Sequence, residues 1–444
     1  MRKPYGWRTH ASNSICLCLF VLCWQGSSVM AADLLSLYQA AMADNPLLKM
    51  REMGIEHARA EADVAGSKLL PQVSLQASTS RNDYHDVATD LKYNGQRITL
   101  SARQALFDLP SVYRRDGARY TVQQTEREAE LARMQLTGQL SDYYLQALEA
   151  DDEMQQLQAE KEAAAKQVAR LRAMYARQMA KITDLSEAIA YQQQLLTREI
   201  DVANKAAAAR VRLGELSGGK PDQLAVLSRS EFPPVPESEE SWVTAALETN
   251  PDVAARMQSV LASRSGAAGA SAEHLPQLSL SIQRNQSNQD IDNSPRRDFN
   301  VGTISLELSL PIYQGGRISA AQSSALAQLA IAEKQLDATQ RSVERETRLN
   351  FASAQANRAR IDSTDNEVAA LKQTVTAQER GYEYGVVTVI NVLDARRRLL
   401  RARVDQAKAR YDYLRDLIGL RLRAGRLGAI DVAEFNGWLG KKQP

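Results

Sequence analysis

Apolar and polar residues alternate over four short stretches of this chain. Val73, Leu75 and Ala77 alternate with Ser74, Gln76 and Ser78, and Ile98, Leu100 and Ala102 alternate with Arg97, Thr99, Ser101 and Arg103. Further on, Leu278, Leu280 and Ile282 face away from Ser279, Ser281 and Gln283, and Ile304, Leu306, Leu308 and Leu310 face away from Ser305, Glu307 and Ser309. A period of two with one apolar face predicts four β-strands. Each pair of strands is separated by a polar stretch, Asn82 to Gly95 and Arg284 to Asp298, read here as long loops. The alternation changes phase near Gly302, which predicts either a bulge or the edge of an apolar zone there.

The rest of the chain is helical in pattern. Ala32 to about Gly66 reads as a helix interrupted at Asn45-Pro46, and the stretches from Ser111 to Met179 and from Arg317 to Tyr382 contain no proline. At a rise of 1.5 Å per residue, about 65 residues span roughly 100 Å, which requires coiled-coil partners. A returning helix carries Leu393, Leu400, Val404, Ala407, Tyr411, Leu414 and Ile418 at mostly 3–4 spacing, as a coiled-coil seam does.

These elements occur twice. Leu70-Pro71-Gln72-Val73-Ser74-Leu75 returns as Leu275-Pro276-Gln277-Leu278-Ser279-Leu280, and each copy follows an Asn-Pro pair, Asn45-Pro46 and Asn250-Pro251, at the same spacing. Tyr175 with Ile182-Thr183-Asp184-Leu185 likewise matches Tyr382 with Val389-Ile390-Asn391-Val392. The chain is two copies of one helix–strand–helix unit. Residues 32–217 form the first repeat, 218–238 a Gly- and Pro-rich linker, 239–424 the second repeat and 425–444 a tail. The region from Asp431 to Leu439 is expected to be a short helix.

Residues 1–31 read as a secretory signal: basic Arg2, Lys3 and Arg8, a short apolar run from Ile15 to Cys23, and small residues near Ala31. Leu17 and Leu22 precede Cys18 and Cys23, so the pattern is not that of a lipoprotein site. Removing the signal removes all three cysteines and excludes thiol chemistry or a disulfide framework. It also removes three basic and no acidic residues, so the formal charge falls from +2 to −1, without the basic excess that nucleic-acid binding needs.

The strand length of about ten residues suits a tilted membrane strand. The polar faces carry Arg97, Arg103 and Glu307, which a water-filled lumen tolerates and a packed core does not. Phe107 and Tyr313 at one end, with Tyr84, Tyr93 and Phe299 at the other, are read as two interfacial girdles. Four strands cannot close a barrel and an open sheet edge cannot sit in lipid, so the chain must oligomerise. A dimer gives eight strands and a trimer twelve. The helices all hang on the periplasmic side. The expected fold class is mainly α with membrane β: duplicated coiled-coil hairpins, four transmembrane strands per chain, and a barrel continued by a helical tunnel.

With these features the chain resembles the TolC family of outer-membrane efflux and secretion channels. The resemblance rests on the duplicated Asn-Pro and Leu-Pro-Gln-x-Ser-Leu unit, on Gly381-Tyr382-Glu383-Tyr384-Gly385 followed by Val389-Ile390-Asn391-Val392-Leu393-Asp394-Ala395, and on Leu310-Pro311-Ile312-Tyr313-Gln314-Gly315-Gly316. It implies a homotrimer embedded in outer-membrane lipid, a periplasmic adaptor, and an inner-membrane ABC transporter or, alternatively, an RND or other pump. No cofactor and no nucleic acid are implied. At the periplasmic gate, Tyr382 and Asp184 match a linked pair and Asp394 matches one of two aspartates that ring the constriction. The second ring position is Asn391, and a latch arginine is replaced by Val387, with Thr183 at its partner position. Gly381, Gly385 and Ala395, with Tyr175 and Ala188, match the helix turns at which an adaptor docks. Three like carboxylates around a narrow axis attract cations, so Asp394 is expected to make the closed end cation-preferring.

Catalysis has little support. His57, His85 and His274 have no metal-site spacing, and there is no Walker pattern. The expected function is a transport channel without its own energy source, most of all the outlet of type I protein secretion, since the second-copy turn is most similar to the secretion branch; small-molecule efflux is the alternative. A periplasmic coiled-coil structural or adaptor protein is the reading from another class.

Overall fold

The structure is a computed structural model of the chain. It describes residues 33–86, 89–219, 221, 223–229, 231–289 and 295–440. The expected signal, residues 1–31, lies outside the described residues, as do 87–88, 290–294 and 441–444.

The two repeats build the same sequence of elements. In the first, α1 (Leu34–Asp44) and α2 (Pro46–Ser67) lead into β1 (Gln72–Asp86) and β2 (Thr89–Phe107), followed by α3 (Leu109–Ala176) and the returning α4 (Ile182–Ser217). After a two-residue strand β3 (Val226–Leu227), α5 (Glu239–Thr249) and α6 (Pro251–Ala272) lead into β4 (Gln277–Gln289) and β5 (Pro295–Ser309), then α7 (Arg317–Glu383) and α8 (Val389–Arg423). The tail adds α9 (Ala429–Asn436) and β6 (Leu439–Gly440), which pairs with β3. No helix among the described residues is long and apolar enough to cross a membrane.

The repeated Asn-Pro has a structural cause. Asn45 ends α1 and caps α2: its Oδ1 accepts from the Leu47 amide at 2.9 Å, and Pro46 sits at the first helical position, where its missing N–H costs nothing. The Asn45 amide also donates to the Leu216 carbonyl at the end of α4. Asn250 repeats this, accepting from the Asp252 amide at 2.8 Å and donating to the Arg423 carbonyl at the end of α8 at 2.8 Å. One side chain therefore satisfies orphan groups of two helix ends and fastens each returning helix to the start of its repeat.

The helices lie side by side in a fixed lateral order. Near the strands α3 packs along α2 and α6, and α6 along α7; at the other end the order is α4, α3, α8, α7. Two faces of α8 are used. Val389, Leu393 and Leu400 enter a core with Leu157, Val168 and Leu171 of α3 and Leu185 and Tyr191 of α4. Ala395, Leu399 and Ala402 pack on Val368 and Val375 of α7. The outer edges, α2 and α4 on one side and α7 on the other, expose Met50, Met53, Ile200, Val211, Leu326 and Leu349.

A belt of aromatic packing fastens linker and tail to mid-helix. Phe232 meets Tyr413 edge-on at 6.0 Å and Trp438 at 6.2 Å, Phe435 meets Trp438 at 5.5 Å, and the Tyr413 hydroxyl donates to the Pro233 carbonyl at 2.6 Å. Nearby Asp416 accepts from Asn357 at 2.8 Å, yet burial raises its carboxyl above the usual 3.8. The folded chain thus holds a proton that the unfolded chain has already released, and stability falls as pH rises through that window. Asp416→Asn is expected to raise the melting temperature at pH 7 and to leave it unchanged well below pH 3.8. Equal melting shifts at both pH values would contradict this.

The four long strands form one antiparallel sheet in the order β1-β2-β4-β5, leaving β1 and β5 as unpaired edges. The register places Val73, Ala102, Ile282 and Ile304 in one row, with Leu75, Leu100, Leu280, Leu306 and Leu308 on the same face. The opposite face carries Ser74, Ser101, Gln283 and Thr303, with Arg103 paired to Glu307 at 3.5 Å. The centre of the apolar band moves from Leu75, level with Gly302, to Leu306, four residues further along β5. Strands about 4.8 Å apart and tilted about 40° shift a level band by about 1.2 residues per strand, or about four across the sheet.

The register corrects two expectations and decides a third. The stretches Asn82–Gly95 and Arg284–Asp298 are for the most part strand, because backbone pairing continues beyond the apolar band where both faces are polar. Gly302 carries no bulge: it pairs directly with Arg284 and marks the edge of the apolar zone. The irregularities fall between Ala105 and Phe107 and between Ser287 and Gln289. The first of these turns Phe107 onto the apolar face beside Leu278, as a girdle residue requires. Tyr84, Tyr93 and Phe299, in contrast, share the face of Ser74 and Arg97 and so do not form an outward girdle. Tyr313 lies beyond β5 and is exposed.

Candidate functional site

The end of the helical hairpins remote from the sheet gathers most of the residues singled out in the sequence. The two turns there are equivalent. The chain leaves α3 through Gln178 at φ 59° and leaves α7 through Gly385 at φ 74°, each a left-handed cap closed by backbone bonds to the last helical turn. Gly385 fits that conformation without a Cβ penalty, whereas Gln178 adopts it at a cost of about 1–2 kcal/mol. At Gly381 a side-chain carbon would come within 3.1 Å of Val387, so that glycine lets the chain fold back on itself.

Tyr382 sits against the α3/α4 core with the Arg170 guanidinium 5.9 Å from its ring centre. Burial raises its phenol above the usual value, Arg170 opposes this, and Asp184 adds to it. No hydrogen bond joins Tyr382 to Asp184 among the described residues; the two are neighbours through charge. Thr183 is exposed in the first turn of α4, and Val387 packs on Gly381. Asn391 is held by the Thr388 hydroxyl, which donates to its Oδ1. Asp394 lies between two arginines of its own helix, Arg397 at 3.6 Å and Arg398 at 3.4 Å.

Ala188 and Ala395 are corrected as docking residues: at 1% and 5% exposure they are buried between helices and present no surface. Their small side chains allow close helix approach. The surface at the turns is made by Tyr175, Met179, Ile182, Tyr384, Val386 and Ile390, all exposed. Tyr175 was among the expected docking residues; for the other five, apolar side chains inside a turn are the signal that could have found them, since a solvated turn has no use for them.

The sequence reading also missed a polar cross-tie. Arg396 on α8 donates through Nε to Glu379 on α7 at 3.0 Å and lies 3.6 Å from Glu160 on α3. The Tyr191 hydroxyl of α4 donates to the same Glu160 at 3.0 Å, and Arg397 stacks over the Tyr191 ring at 5.1 Å. One connected network thus joins all four helices, with Arg396 only 21% and Glu160 only 15% exposed. Its members are far apart in sequence, so no local motif announces it.

At the other end, the β1–β2 hairpin brings His85 within 2.9 Å of Asp90 and 3.3 Å of Asp83, a juxtaposition that sequence spacing did not show. All three are exposed, and Lys92 is paired to Asp83 at 3.1 Å. The trio is a solvated charge cluster rather than an enclosed centre.

The chain matches the family model described as outer membrane efflux protein twice, over residues 37–219 and 242–426. It is 28% identical to outer membrane protein TolC of Vibrio cholerae, over 93% of this chain and 95% of that protein. It is 25% identical to the alkaline protease secretion protein AprF of Pseudomonas aeruginosa, over 90% of this chain and 86% of that protein. Among solved structures, the CmeC outer membrane channel of Campylobacter jejuni superposes with a TM-score of 0.81 at 18% identity, covering 98% of this chain and 97% of that one. With both halves of the chain matched, it belongs to the outer membrane efflux protein family, the family of TolC, and is an outer-membrane transport protein rather than an enzyme.

Proposed function

We propose that this chain forms a homotrimeric exit duct whose periplasmic tip engages an adaptor protein and, through it, an inner-membrane ABC transporter. The observation that carries the duct is its edges. The sheet ends in unpaired β1 and β5, and the helical layer ends in α2/α4 and α7 with exposed apolar side chains. Open edges are costly in lipid, and pairing with further copies removes them in sheet and helical layer alike. Three copies give twelve strands, enough for a water-filled lumen, and the polar face with its Arg103–Glu307 pair suits such a lumen.

For cargo, we favour type I protein secretion. Two relatives are named for protease secretion, AprF and the PrtF protein of Dickeya chrysanthemi, the latter 25% identical over 94% of this chain. Others are named for efflux or pyoverdine export, so small-molecule export is the second reading. Deleting the gene and comparing secreted proteins with the parent strain separates them. Loss of one or a few large secreted proteins supports the secretion outlet. An unchanged secretome with new drug sensitivity overturns it in favour of efflux.

A further inference from the structure

Two faces of α8 are covered by α3, α4 and α7, and both of its lateral neighbours come from its own chain. The remaining face is therefore not a seam between copies. It carries Asn391, Asp394, Arg398, Arg401, Asp405 and Lys408 at 3–4 spacing, on the side of the helix away from Arg396. Taking the chain as a duct, as proposed above, this face lines the narrowing periplasmic entrance. Its charges are unequal. Asp394 is shared between Arg397 and Arg398, and the Arg398 side chain is 71% exposed. Arg401 and Lys408 are exposed and have no acidic partner among the described residues. The surrounding tip has the same sign: residues 157–201 hold seven basic against six acidic side chains and residues 364–408 eight against six, a net +3, in a chain that is −1 overall from residue 32 onward.

A carboxylate that already has two guanidinium neighbours contributes little field of its own, while the surplus arginine charge in a constriction narrower than the Debye length of about 8 Å acts on every passing ion. We propose that Arg398 and Arg401 set the charge preference of the entrance over Asp394, making it anion-preferring and fitting it to cargo that presents carboxylate or phosphate groups. Copies around one axis repeat the excess and concentrate counter-ions in the opening.

The test uses the intact oligomer in planar bilayers under a potassium chloride gradient. The wild-type reversal potential is expected to have the sign of anion preference, and Asp394→Asn to move it further the same way. Joint replacement Arg398→Gln and Arg401→Gln is expected to carry it towards cation preference, while Arg398→Lys with Arg401→Lys retains the wild-type sign. Inorganic tripolyphosphate added on the tip side should block the wild type at a concentration at least tenfold lower than the glutamine variant. A conducting wild type that prefers cations, or a glutamine variant with an unchanged reversal potential, overturns the proposal alone. An oligomer that never conducts overturns the duct reading, and the proposal with it.

Discussion

Replacing Leu306 with arginine is expected to abolish outer-membrane assembly of this protein. Leu306 lies at the centre of the apolar band on β5, between Ile304 and Leu308 and level with Leu280. It is 64% exposed in the single chain, so no neighbour inside the chain shields it. A charged arginine at the middle of a lipid-facing barrel surface costs about 2–4 kcal/mol, and the three copies of the proposed trimer would incur it together, roughly 6–12 kcal/mol in all. The assembled oligomer should vanish from outer-membrane extracts. Ser305→Arg, one residue away, puts the same charge on the face of Ser281 and Thr303 and should assemble at wild-type levels. Comparable oligomer yields from both variants would show that the apolar face does not meet lipid.

Replacing Arg396 with alanine is expected to loosen the periplasmic tip. Arg396 stands between Glu379 and Glu160, and its removal leaves two carboxylates facing each other across α8, one of them mostly buried. Removing one partner of such a pair costs about 2–4 kcal/mol in the packed arrangement, at or just below the range for fully buried pairs. An arrangement with α8 drawn away from α3 and α7 loses nothing by the substitution, because Glu160 and Glu379 are then free to hydrate. The balance should shift towards the open form by a factor of tens to hundreds, at 1.4 kcal/mol per tenfold. Single-channel recordings should show longer and larger openings. Arg396→Lys keeps the charge but not the fork and should fall in between. Unaltered conductance in a correctly assembled Arg396→Ala oligomer would rule out a restraining role for this network.

Local features of the fold were legible because their causes are local. Proline after Leu70 and Leu275 cannot continue a helix, and both helices end there. Asn45-Pro46 and Asn250-Pro251 mark helix starts because asparagine caps and proline suits the first turn. The long helices begin and end within a few residues of the expected limits. Legibility stopped where side chains gave no contrast. Above the apolar band neither face is apolar, so the strands ran on unseen through Asn82 and Asn94, which pair with Tyr93 and Arg81. The shift between Ala105 and Phe107 reverses which face Phe107 meets, and no residue type signals it.

The candidate site divides in the same way. Gly381 and Gly385 were readable as turn residues, and Tyr382 stood out by its match to Tyr175. Ala188 and Ala395 could not be told from surface residues, because alanine is small enough for a packed helix seam and a good enough helix former for an exposed face. The Arg396 network needed four helices in place before its charges could meet. By itself, then, the sequence determined the duplicated order of helix, strand pair and helix pair, since periodicity, caps and prolines act over a few residues. Only the tertiary structure decided the lateral order α4, α3, α8, α7, the face that Phe107 takes and the contact of Arg396 with Glu160, since these depend on segments more than 170 residues apart packing against one another.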